Sequence, residues 1–222
     1  MTALPLQFRD GHLFVEVDRE LWLIDTGAPS SFGNARSITI AGERFDLGTG
    51  YGSLGVEELA RSVRVPCVGL LGADVLGRFD HVYDVPGGRL SLSTGELSSD
   101  GTTVRLDEVA GIPILTARIG DGEHRMFFDT GAQLSYFHGD RLAEFPCAGS
   151  FTDFHPSLGQ FQTQTHQVPV SLGGEGFTLR CGSLPSALRA SLMTAGTDGI
   201  VGNAILVHRT VGYFPRRRLM IL

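Results

Sequence analysis

Asp25-Thr26-Gly27-Ala28 recurs as Asp129-Thr130-Gly131-Ala132, and no other feature of this 222-residue chain narrows its fold as much. Each copy is entered from an apolar run, Leu21-Trp22-Leu23-Ile24 before the first and Met126-Phe127-Phe128 before the second. Such a run followed by Thr-Gly reads as a strand ending in a tight turn. The turn holds a carboxylate rigidly at the strand end. Two such carboxylates in one chain allow a paired site, where like charges close together cannot both ionise and one proton is shared. The ionised member is then a general base for water, while the protonated member polarises a carbonyl.

A single Asp-Thr-Gly says little; here its surroundings repeat as well. Leu70-Leu71-Gly72 follows the first aspartate and Ile200-Val201-Gly202 the second, and from each glycine the chain takes the same 20 steps, to Leu92 and to Leu222. Each of these runs reads as a short apolar helix, a strand (82–85 or 211–214), a turn and a last strand. Between aspartate and apolar-apolar-Gly lies a further matched pair, the hairpins at 38–47 and 170–179. The chain therefore reads as two homologous halves, residues 1–92 and 104–222, joined by a small, polar linker at 93–103. Two copies indicate a pseudo-dimer rather than a solenoid. The fold class expected is all-β, two barrel-like halves with short helices.

The halves are unequal in one place. Thirteen positions separate Asp25 from Ile38, but 41 separate Asp129 from Val170, so the second half carries 28 more residues within roughly 142–167. Inside them, residues 151–163 alternate around Pro156-Ser157-Leu158-Gly159, a hairpin signal.

Asp-Thr-Gly followed by apolar-apolar-Gly in each half resembles the aspartic proteases, the pepsin and retropepsin clan. The Asp-Thr-Gly-Ala form at both sites is most similar to the retroviral-type enzymes, whose two halves meet as a homodimer; this chain resembles a fused, single-chain version. The resemblance implies an aspartic endopeptidase in which Asp25 and Asp129 are the catalytic pair. Thr26 and Thr130 would cross-brace the two loops, and Gly27 and Gly131 would let backbone N–H groups approach the carboxylates. It also implies that the hairpin at 151–163 is the flap over substrate, present in the second half only. Phe154, His155, Leu158, Gly159 and Phe161 are then candidate flap contacts. Gly48-Thr49-Gly50-Tyr51-Gly52, which lacks the Lys-Ser/Thr ending of a phosphate loop, is read as the remnant of a first-half flap, with Tyr51 as a substrate contact. A dyad with one ionised and one protonated member implies a bell-shaped pH profile, and the resemblance to retroviral enzymes with the same alanine after Asp-Thr-Gly implies an optimum less acidic than pepsin's. The alternative on the same fold is a catalytically silent peptide-binding module.

Composition adds boundaries. Thirty glycines and fourteen phenylalanines fit a turn-rich β protein, and no run of about 18 apolar residues marks a membrane span. A net charge of −6 speaks against nucleic acid as a partner. The residues supply no metal-ligand pattern and call for no cofactor; the partner expected is a peptide or protein substrate, and the active form a monomer. No signal peptide is visible at the start, and with three cysteines this points to a reducing cytoplasm. Cys67, Cys147 and Cys181 read as free buried thiols, a Cys147–Cys181 bridge being the alternative. His81 and His208 read as surface or packing residues, and Arg216-Arg217-Arg218 as a solvated turn.

Overall fold

A computed structural model describes residues 1–52, 54–137 and 142–222. The first half runs through strands β1 (Thr2–Arg9), β2 (His12–Val17), β3 (Glu20–Ile24), β4 (Phe32–Gly33), β5 (Ser37–Ile40), β6 (Glu43–Asp46), β7 (Gly50–Tyr51) and β8 (Leu54–Gly55). Helix α1 (Val56–Val63), β9 (Gly69–Leu71), helix α2 (Ala73–Leu76), β10 (Asp80–Asp84) and β11 (Arg89–Ser93) complete it. The second half repeats the order with β12 (Thr103–Val109), β13 (Ile112–Ile119), β14 (Gly122–Phe128), β15 (Ser135–Phe137), β16 (Cys147–His155), β17 (Gly159–Leu172) and β18 (Glu175–Gly182). Helix α3 (Ser186–Thr194), β19 (Gly199–Val201), a 3-10 turn at Asn203–Ile205 where the first half has α2, β20 (Thr210–Phe214) and β21 (Leu219–Ile221) follow. The fold is all-β and bilobal.

Local chemistry explains the hairpins. Asp10-Gly11 and Ala41-Gly42 hold both central residues at positive φ, 45° and 82° in the first turn and 51° and 84° in the second. That is the two-residue geometry whose twist matches the strands it joins. The halves then meet in one six-stranded antiparallel sheet, in the order β1, β11, β10, β20, β21, β12. Each half gives three strands, and the pseudo-two-fold passes between β10 and β20, where Val82 faces Gly212. Tyr83, Tyr213, Phe79 and Phe128 are buried above this seam in a core shared by both halves. A smaller apolar cluster of Phe14, Leu23, Phe32, Leu59 and Leu70 sits beneath α1.

Helices α1 and α3 are absent from the expectations above. In α1 the signal exists: Val56, Leu59 and Val63 are buried, Glu57 and Glu58 occupy the first turn and Arg61 the last, the spacing and charge order of a short amphipathic helix. Helix α3 buries no residue and is marked only by Pro185 before it.

Two further readings are corrected. Arg216 and Arg217 do not form a solvated turn with Arg218. Asp80 is fully buried, and both guanidiniums pair with it, Arg216 Nη2 at 3.1 Å from Oδ1 and Arg217 on Oδ2. A buried carboxylate must be paired, and the same arginines donate to the carbonyls of Thr94, Gly95 and Leu97, fastening the joining segment. Arg218 is the most exposed of the three, near Glu108. The Cys147–Cys181 bridge is excluded by register: Cys147 faces His166 on one side of β17 and Cys181 faces it on the other. Two strand spacings of nearly 5 Å each exceed the reach of a disulfide. All three thiols are free, but Cys147 is exposed rather than buried. His81 is the packing residue, stacked on Tyr83, and His208 is exposed.

Candidate active site

Each aspartate is set by the same construction. β3 runs parallel to β9, with Ile24 beside Leu71, and the Asp25 amide continues the ladder to the Leu71 carbonyl at 3.0 Å. β14 runs parallel to β19 in the same way, and the Asp129 amide donates to Val201 O at 3.0 Å. The chain then turns back, and Ala73 N–H and Asn203 N–H catch the carbonyls of Ala28 and Ala132 at 2.8 and 3.0 Å. The glycine of apolar-apolar-Gly is required by this crossing. A Cβ on Gly72 would lie 2.7 Å from Ala28 O, and one on Gly202 2.6 Å from Ala132 O.

Across the pseudo-two-fold the loops are bolted together by their threonines. Thr26 Oγ1 donates to Phe128 O at 2.7 Å and accepts the Thr130 amide at 3.0 Å. Thr130 Oγ1 donates to Ile24 O at 2.9 Å and accepts the Thr26 amide at 3.0 Å. Both threonines are buried, and three polar groups of each loop, the threonine hydroxyl, its amide and the strand carbonyl two residues before it, are satisfied by the other loop. The glycines complete the fit. A Cβ on Gly27 would lie 2.4 Å from the Asp129 carboxyl carbon, and one on Gly131 2.5 Å from that of Asp25.

The carboxyls so placed are hydrogen-bonded to one another. Asp25 Oδ1 accepts the amides of Gly27 and Ala28, both at 2.9 Å, and Asp129 Oδ1 accepts that of Gly131 at 2.8 Å. Burial is the largest influence on both and raises both. The negative charge of Asp129 pushes Asp25 further, well above the usual carboxylate range, while the hydrogen bond from Asp25 favours ionised Asp129. Two carboxyls raised together in this way share one proton, which belongs to the pair. Among the described residues, no three His, Cys, Asp or Glu side chains are gathered as a metal site.

A sheet shared between two lobes, with a turn-borne aspartate from each lobe meeting at the centre, identifies the architecture. The fold is that of an aspartic proteinase. The chain is similar to the crystal structure of the aspartic proteinase from Irpex lacteus, with a TM-score of 0.53 over 99% of this chain and 96% of that one, at 12% sequence identity. No protein-family model matches the chain, and no curated protein does.

Over the pair stands the hairpin of β16 and β17, paired from Ser150 and Gln164 to His155 and Gly159, with Pro156, Ser157 and Leu158 at its tip. Beneath it is a cavity of about 460 Å³ that opens onto Asp25 and Asp129. Of the candidate contacts, Phe154, His155, Phe161 and Tyr51 line it; Leu158 and Gly159 do not, because they lie at the outer end of the tip. Phe154 reaches across to the cluster beneath α1, so the hairpin is lowered onto the other half. Tyr51 belongs to the small β7–β8 hairpin, half exposed at the opposite rim.

Four cavity residues escape the sequence pattern. His12 opens β2 and is buried; its Nδ1 lies 3.1 Å from Asp10 O, and the amide nitrogen of Gln133 is within 3.2 Å of the ring. Burial holds His12 below the ordinary imidazole range. Tyr136 on β15 donates its hydroxyl to Asp153 on β16, and burial first, then the charge of Asp153, raises its phenol. His12 and Tyr136 sit inside apolar strands, where either residue also serves as packing, and only the fold reveals that they face the pair. Gln133 and Asp153 are polar residues in turn-rich stretches with no spacing to single them out.

Proposed function

We propose that this chain is an aspartic endopeptidase that hydrolyses peptide bonds with water activated between Asp25 and Asp129. The observation that carries this reading is the mutual enclosure of the two carboxyls, each backed by the other loop's glycine. In the reaction, ionised Asp129 takes a proton from water as its oxygen attacks the scissile carbonyl carbon, and Asp25 gives its proton to the carbonyl oxygen. The tetrahedral diol then returns a proton to Asp25. As the C–N bond breaks, the amine leaves with the proton Asp129 holds, regenerating the singly protonated pair. An extended peptide pairs with backbone beneath the β16–β17 hairpin, its side chains alternating between pockets of the cavity. Thr26, Gly27, Thr130 and Gly131 are positioning residues, and one chain supplies the whole site, so the active form is a monomer. The intact pair favours hydrolysis over a silent binding module.

The test is cleavage of a randomised peptide pool by the wild-type protein and by Asp25→Asn and Asp129→Asn. Cleavage by the wild type alone is the expected result. A pool left intact by the wild type, or cut equally by the variants, contradicts the reading.

A further inference from the structure

Asp153 is a third carboxylate in the cleft, and the hydrolysis above does not use it. It lies on β16 and lines the same cavity as Asp25 and Asp129, close enough to act on the charge of Asp129. Both its oxygens are fixed: the Tyr136 hydroxyl donates to Oδ2, and the Phe154 amide donates to Oδ1 at 2.8 Å. A carboxylate accepts about four hydrogen bonds, and these two occupy half of that capacity on a side chain that lines the cavity.

Among the described residues, the cavity lining holds no arginine without an acid partner of its own. His12 and His155 face Asp153, and burial keeps both below the ordinary imidazole range. Arg61 and Arg64 reach the cavity edge, but each is ion-paired to an acid of its own, Glu58 at 2.7 Å and Asp10 at 3.4 Å. The opposite wall is apolar, built from Phe32, Leu54, Leu59 and Leu70. Phe32 and Tyr136 stand equally far after their aspartates, so the hydroxyl that orients a carboxylate exists on the hairpin side only. A substrate that displaces water here buries Asp153 against the dyad's own negative charge, which costs free energy unless a positive group comes with it.

We propose that Asp153 reads a basic side chain of the substrate, and that the preferred substrates are peptides with lysine or arginine beside the scissile bond. The inference rests on the hydrolytic reading of the same cleft. Tyr136 acts as a positioning residue that holds the carboxylate toward the incoming cation, and an arginine is received by two parallel N–H donors.

The test compares peptides, built around a bond mapped in the pool, that differ only by lysine, arginine or the uncharged isostere norleucine at the two flanking positions. The wild type should favour the best basic peptide over its norleucine partner by about 10- to 100-fold in kcat/KM, the range of a hydrogen bond to a charged group. In Asp153→Asn, whose oxygen still accepts the Phe154 amide while its NH2 donates to the Tyr136 oxygen, that ratio should fall close to one, and Asp153→Glu should restore part of it. A wild-type preference for norleucine overturns the proposal. So does an Asp153→Asn variant that loses activity on both peptides while keeping the ratio, since that marks a role in hairpin structure alone. If the wild type cleaves nothing, the hydrolytic reading fails separately, and calorimetric binding of the same peptides decides this one. Tighter binding of the basic peptide, lost in Asp153→Asn, supports it; equal binding of both peptides overturns it.

Discussion

Asp25 and Asp129 are held where a carboxylate is least at ease, enclosed by protein and beside its own kind. Because folding raises their pKa, the folded chain binds protons there more tightly than the unfolded chain does. This contribution is complete below the unfolded carboxylate value and is lost as pH rises through the raised one. Asp25→Asn should therefore melt at a higher temperature than wild type near pH 7, the difference closing as pH falls below about 4. Thermal melts across that range check it; a variant less stable than wild type at pH 7 contradicts it. The threonines behave in the opposite sense. Thr26→Ala strips the Phe128 carbonyl and the Thr130 amide of their partner in a buried place, at about 1–3 kcal/mol for each group left unsatisfied. Thr26→Ser keeps the hydroxyl and should stay within about 1 kcal/mol of wild type, as denaturant unfolding would show.

The hairpin of β16 and β17 is the element that distinguishes the halves. It rests on the cluster beneath α1 through Phe154 of β16, while Leu158 and Gly159 remain outside the cavity. A lid held by so small an apolar contact is expected to open at low cost and to close over a bound ligand. Hydrogen exchange with and without a statine-type transition-state mimic should give new protection at 154–161, and deletion of Pro156 to Gly159 should weaken binding and slow turnover. Protection confined to the β7–β8 hairpin would place the closing element in the first half. At this scale much was legible in advance. The 28 surplus residues and the Pro-Ser-Leu-Gly turn located the hairpin, and the repeated apolar-apolar-Gly marked matching points of the two halves; that backbone meets backbone at Gly72 and Gly202 is shown by the fold alone. Helix α3 was not legible, since it buries nothing and so carries no apolar period. Nor was the pairing of Arg216 and Arg217 with Asp80: the partners lie 136 and 137 positions apart, and sequence shows the charges without the fold that buries one of them.

For the whole molecule, the seam between β10 and β20 joins the two lobes. His81 sits in that seam, fully buried, its Nε2 2.7 Å from Leu76 O and its ring between Tyr83 and Tyr213. Burial lowers its pKa to about 4. A depressed imidazole stabilises the fold above the unfolded value of about 6.5 and loses that contribution as pH falls toward 4, roughly 3 kcal/mol in all. His81→Gln should flatten the stability profile between those limits, measured by denaturant unfolding; an unchanged slope would show that His81 does not titrate with unfolding. The covalent join makes one further demand, that both aspartates of a working site come from the same chain. The decisive measurement is the specific activity, on one cleaved peptide, of wild type, of Asp25→Asn, of Asp129→Asn, and of the two variants refolded together. Wild type should be active, each variant reduced by at least about 10²–10⁴-fold, and the mixture as inactive as its parts. A variant within about tenfold of wild type, or a mixture that regains activity, would contradict a dyad held between the two halves of a single chain.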